Sequence, residues 1–199
     1  MAGAKFGRGA VRLAAVVCVG SLAGGIAAEG TGSTMTRRIE VERFSVVSSK
    51  AFDDVVAAVE AKIGHPDMGA LRRGITAAQN EAELKKVVES AVGPSAIMEF
   101  ARYDLGEVLQ KENGTKRPRI VRLVMGNPLI MKEMVKYVPD AGSYAPVTVL
   151  IDERADGVHL SYDRMASFLA PYENAQATKV ARELDAKIES LLVAAAAGK

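Results

Sequence analysis

The sequence predicts an α+β domain, a mixed or antiparallel sheet with helices packed on one face, in the order β-α-β-β-α-β-β-α plus a helical insertion. Three observations carry this expectation. Short runs of β-branched residues alternate with longer stretches of helical apolar spacing. Two strand-like runs, "PVTVLI" and "VHLSY", flank Asp156-Gly157 and read as a hairpin. Asn and Ser stand where helices should begin, and Gly or Pro where they should end.

Each element follows from its own residues. Arg38 to Ser48, "RIEVERFSVVS", is β-rich with partial alternation and predicts a strand. Ser49 is placed to cap a helix whose first turn holds Asp53 and Asp54, on the side the helix dipole favours. Phe52, Val55, Val56, Val59 and Ile63 make its apolar stripe, and Gly64 stops it. In the insertion, Asn80 with Glu83 forms a capping pair ahead of Leu84, Val87, Val88 and Ala91. Ile97 to Tyr103 predicts a strand with Met98 and Phe100 on one face; Leu105 to Lys111 predicts a short helix, and Asn113 to Pro118 a basic turn. Arg119 to Met125 is apolar apart from Arg122, which predicts a central strand buried on both faces. Asn127 caps the next helix, Pro128 sits at its first position, and Met131, Met134, Val135 and Val138 form its buried stripe. After the hairpin, Asn174 caps a long helix carrying Ala177, Val180, Leu184, Ile188 and Leu191. The expected organisation is a presequence over 1–28, a linker over 29–37, one domain over 38–192 and a flexible tail over 193–199.

The chain has 199 residues, 49% hydrophobic and 25% charged, which suits one globular domain rather than two. Residues 1–28 have the layout of a secretory signal peptide. Lys5, Arg8 and Arg12 precede an apolar run from Leu13 to Ala23, and small residues allow cleavage after Ala27 or Ala28. The run is short and interrupted by glycine, which disfavours a membrane anchor. Val17 disfavours a lipoprotein signal at Cys18. The expected location is therefore periplasmic or secreted. It is cytoplasmic if translation starts at Met35.

The only cysteine is Cys18, so the domain itself holds no disulfide, no thiolate metal site and no cysteine nucleophile. Loss of the three cations of the leader takes the formal charge from +2 to −1. Such a balance with few aromatics argues against a nucleic-acid partner.

The stretches "MEFARYDLGEVLQKE" and "VRLVMGNPLIMKEMVKYVPDAGSYAPVTVLIDERADGVHLSYDRM" resemble the bacterial and archaeal family known as domain of unknown function 302. The likeness runs over about Ile39 to Ile63 and Ile97 to Met165. It implies a compact α+β domain, pairing as a homodimer, and no established activity. Many relatives carry Cys-Asn-Pro where this chain has Gly126-Asn127-Pro128, and Leu-Pro-Cys where it has Ala145-Pro146-Val147. A metal or redox role for that cysteine pair does not apply here. The segment His65 to Pro94 is longer than the family layout.

Candidate ligand-binding residues are His65, Asp67, Asn127, Tyr144, His159 and Asp163. Asn127 stands at a helix N-terminus, which attracts anions, although capping alone explains it. "HPDM" gathers His65, Asp67 and Met68; His with Met suits a soft metal, but a site needs three or four ligands, so the expected reading is a polar loop after Gly64. His159, Ser161 and Asp163 share a strand face, where a His–carboxylate pair could act as base and orienter or simply face water. Tyr144 lies in the Pro139–Pro146 link of the family likeness. Met131 and Met134 sit on a helix stripe and read as core. Lys116, Arg117 and Arg119 read as a solvated turn. There is no phosphate loop, dinucleotide fingerprint, HExxH or nucleophile elbow.

The sequence names no cofactor and no catalytic set. Its expected role is a non-enzymatic, homodimeric, exported domain that binds a small apolar or anionic ligand. The alternatives are an enzyme using His65/Asp67 or His159/Asp163, and a structural interaction domain. No stable membrane span is expected once the leader is removed.

Overall fold

Five antiparallel strands form one sheet in the order β1-β5-β4-β3-β2. They are β1 (Arg43–Ser48), β2 (Met98–Asp104), β3 (Ile120–Gly126), β4 (Val147–Arg154) and β5 (Gly157–Asp163). The computed structural model describes residues 33–113 and 119–197, and Arg38–Lys199 forms a compact unit. The presequence lies outside the described residues, as does all of the expected basic turn from Asn113 to Pro118 except Asn113, which falls in the helix that follows β2.

Pleating sorts each strand into two faces. Val121, Leu123 and Met125 of β3, Val149 and Ile151 of β4, and Val158, Leu160 and Tyr162 of β5 are buried on the covered face. Helices α1 (Phe52–Glu60), α5 (Pro128–Val135) and α7 (Ala175–Ala196) pack there, and Met165 and Leu169 join the same core. The other face is open. The expectation that β3 is buried on both sides is therefore wrong. Arg122 is exposed and Ile120 and Val124 are half-buried, so the apolar run reflects one core face and one open face that is itself partly apolar.

The long helix α7 is the hub of the helical layer and touches α1, α5, β1 and β5. Its buried line, Ala177, Ala181, Leu184, Ile188, Leu192 and Ala195, keeps helical spacing along its length. Asn174 caps it, accepting from the Ala177 N–H at 2.9 Å. The flexible tail expected over 193–199 differs from the structure, where the helix runs through Ala196 and buries Ala195 and Ala196. Its last carbonyls have partners: Ser48 Oγ donates to Ala196 O at 2.8 Å and Lys50 Nζ to Ala195 O at 3.0 Å. Ser48, not Ser49, is thus the structural serine. Helix α1 starts after Ala51 with no side-chain cap.

The insertion is a helical hairpin, α2 (Met68–Ala77) and α3 (Glu81–Glu89), closing a second cluster of Leu71, Val88 and Met98 with Phe100 and Leu129 at its edge. Helix α2 escapes pattern reading because Gly69 and Gly74 interrupt it. A Cβ at Gly74 would lie 2.9 Å from Val87, so this glycine lets α2 and α3 approach. The Asn80–Glu83 capping pair forms as expected. Helix α4 (Leu105–Asn113) bridges β2 and β3. The hairpin turn is Ala155-Asp156, with Gly157 as the first β5 residue at φ +136°, where a Cβ would meet Ser48 O at 2.7 Å.

A short helix α6 (Met165–Leu169) follows β5, and its start is fixed from α7. The buried Asp185 carboxylate accepts from Tyr162 Oη at 2.6 Å, Met165 N at 2.7 Å and Ala166 N at 3.1 Å. Burial raises the Asp185 carboxyl above the ordinary carboxylate value, and the three donors pull against that rise. Burial, and then the neighbouring carboxylate, likewise raise the Tyr162 phenol.

Asparagine at 185 would turn one acceptor into a donor facing these N–H groups. Asp185→Asn should therefore cost about 1–3 kcal/mol in mildly acidic solution. Because the folded value is raised, the contribution of Asp185 titration is fully present below the unfolded value of about 3.9 and is lost as pH rises through the folded value. The stability gap between wild type and variant, measured by urea melts across pH, should narrow toward neutrality.

Candidate functional site

A groove of about 560 Å³ lies on the open face of the sheet. Its floor is the outward side of β4 and β5, with Thr148, Leu150 and Ser161 pointing into it. One end is walled by aromatic rings. Tyr144, from the 3-10 turn Pro139–Ser143 and its cap, stacks on Phe168 of α6 with centroids 4.8 Å apart and planes 12° apart. Tyr144 Oη also bonds Tyr172 Oη at 3.0 Å, and this bond is the main reason the Tyr172 phenol is raised.

Two arginines line the groove. Arg43 of β1 is clamped on Asp163 of β5 by two hydrogen bonds of 2.6 and 2.8 Å, which raise the guanidinium above its ordinary value. These residues are cross-strand partners, so the pair is dictated by register. Arg122 of β3 is different. Its guanidinium lies over the Tyr103 ring at 5.8 Å and reaches Thr148 Oγ1 at 3.5 Å, and it has no carboxylate partner among the described residues. Among the described residues, the groove thus carries one balanced ion pair and one cation without a carboxylate partner.

A second, smaller pocket of about 110 Å³ sits between the end of β3 and α5. Phe100, Met131, Met134 and Leu184 make it apolar, and Asn127 stands at its edge. Pro146 and Val147 belong to the walls of both cavities. The Ala145–Pro146 bond is cis. Gly126 and Val147, where the family likeness places cysteines, line this one pocket together.

Of the expected site residues, Tyr144 and Asp163 line the groove and Asn127 lines the apolar pocket. Asn127 is a true cap: its Oδ1 accepts from Leu129 N at 2.8 Å, and its Nδ2 donates to Ala96 O at 2.9 Å. Ala96 itself has φ +60°, so Asn127 also pins a left-handed residue.

The two expected His–Asp pairs are replaced by others. Asp67 caps α2 through Ala70 N at 2.5 Å, and the carboxylate near His65 is Glu99, whose Oε2 lies 3.7 Å from Nδ1 and is buried without a hydrogen bond. His65 Nε2 lies 3.0 Å from Glu60 O. His159 bonds Asp156 Oδ1 at 2.8 Å while Asp163 is held by Arg43, because the turn brings Asp156 back over the strand. That bond lowers the Asp156 carboxyl. Neither histidine lines the groove. Among the described residues no three His, Cys, Asp or Glu gather as a metal cluster.

Pattern reading missed Arg43, Arg122 and Phe168 as groove residues. Arg122 left one signal, a single charge inside an apolar strand. Arg43 and Phe168 left none, since their place depends on strand order and on the α6 turn.

The description "Domain of unknown function DUF302" matches residues 73–195. The chain is also similar to the crystal structure of uncharacterized conserved protein DUF302 from Bacillus stearothermophilus, with 12% identity, a TM-score of 0.50, and coverage of 77% of this chain and 94% of that one. That likeness concerns the fold alone. No curated protein matches.

Removing the Asn127 side chain tests whether it serves the fold. Asn127→Ala should lower stability by about 1–2 kcal/mol in chemical melts, while Asn127→Asp, which retains the acceptor toward Leu129 N, should recover part of the loss.

Proposed function

The chain belongs to the DUF302 family, and we propose that it is a non-enzymatic domain that binds a small ligand in the groove on the open face of its sheet. The observation that carries this reading is the groove itself. It is concave, has an aromatic wall, and holds a few convergent polar groups with one unbalanced cation. Ligand sites share these traits: mostly apolar walls with a small number of orienting polar groups. The groove volume of about 560 Å³ suits a small organic molecule.

The enzymatic alternative draws on His159 with Asp156 or His65 with Glu99. Both pairs stand outside the groove, which weakens it. Export to the periplasm or beyond is supported by the leader-like residues 1–28, and pairing as a homodimer by the family resemblance. Both belong to the proposal.

The test is a ligand screen read by chemical shift perturbation on the full chain, with organic anions and neutral aromatics in the panel. Residues of β4, β5 and α6 should respond. Phe168→Ala should weaken the responding ligands about three- to tenfold, the size of one aromatic contact. Responses confined to other surfaces, or indifferent to Phe168, would remove the groove as the site.

A further inference from the structure

The groove and the apolar pocket share the walls made by Pro146 and Val147. One end of this combined surface carries the unbalanced guanidinium of Arg122, and the far end is a small apolar chamber. The track between them follows β3 and β4. Arg122 faces Leu150 across the ladder, Val124 faces Thr148, and Gly126 lies against Pro146. From Arg122 to Gly126 the strand advances four residues, about 13 Å.

Resting on the groove reading above, we infer that the ligand is an amphiphilic monoanion, of the medium-chain carboxylate type. Its carboxylate meets Arg122, whose planar fork matches two carboxylate oxygens. Its chain crosses Leu150 and the methyl of Thr148, passes Pro146, and ends among Phe100, Met131 and Leu184. The cation has a reason to wait for a ligand. A guanidinium over a tyrosine ring keeps its orientation while its charge stays available. The Arg43–Asp163 pair sits on the far side of β5 and is internally neutral, so the groove favours one negative charge, not two.

Gly126 is the residue that tests the passage. A Cβ there would lie 3.5 Å from Pro146 Cβ and 3.7 Å from the Phe100 ring, ordinary contact distances, so alanine fits the fold. Its methyl would stand beside the wall shared by the two cavities, on the path inferred for the chain.

The experiment is calorimetric titration of the full chain with decanoate, butyrate and decanol. Decanoate should bind at least tenfold tighter than either, because butyrate lacks the chain and decanol the charge. Arg122→Gln should bring decanoate down to the level of decanol and leave decanol unchanged. Gly126→Ala should weaken decanoate severalfold and leave butyrate unchanged, and both variants should melt close to the wild type. Decanoate binding no tighter than butyrate, or indifferent to both substitutions, overturns the inference. If short or aromatic anions still bind and still need Phe168, the groove reading stands and only the amphiphile is lost. If no probe binds, both are lost.

Discussion

A carboxylate inside the protein fixes how the chain turns from sheet to helix. Asp185 lies on α7, yet it accepts from the Tyr162 hydroxyl on β5 and from the first two N–H groups of α6. Desolvating a charge is costly unless its lone pairs are met. Here three donors meet them, one from β5 and two from the start of α6. The corner therefore has one geometry that satisfies the carboxylate. That geometry places Phe168 of α6 against Tyr144, which builds the aromatic wall of the groove. A buried interaction on one side of the sheet so sets the shape of a cavity on the other.

The two faces of the sheet divide the work. The covered face spends its apolar residues on α1, α5 and α7, and alanines at Ala177, Ala181 and Ala195 let α7 lie close. The open face keeps Arg122, Thr148, Leu150, Ser161 and Asp163, a mixture too polar for a core and too apolar to be merely solvated. Cross-strand register then decides charge. Arg43 stands opposite Asp163 and is neutralised, whereas Arg122 stands opposite Leu150 and has no carboxylate partner among the described residues. A one-residue slip of β3 would turn Arg122 toward the core and erase this asymmetry.

Much of this is legible in the sequence. Capping chemistry located Asn80, Asn127 and Asn174, because a side-chain acceptor at a helix start is a local requirement. Apolar spacing located the stripes of α1, α3 and α7 for the same reason. What failed was non-local. Helix α2 looked broken because Gly74 serves a contact with Val87, thirteen positions away. The alanine tail looked loose because Ser48 and Lys50, which hold its carbonyls, lie far upstream. Sequence proximity pairs the histidines with the acids of their own loop or strand face, whereas His65 faces Glu99 from β2 and His159 takes Asp156 from the turn. The groove needed strand order, which no single stretch encodes.

The link from Pro139 to Pro146 draws these strands together. It follows α5, supplies Tyr144 to the groove, and brings Pro146 to the wall between the two cavities. Gly126 faces Pro146 across that wall, and having no side chain it leaves room there. In relatives that carry cysteine at both positions, the same wall would hold two thiols. In this chain it holds a glycine and a valine, and the space is apolar. Glycine at 126 thus leaves apolar volume where a thiol would otherwise stand, four residues along β3 from Arg122.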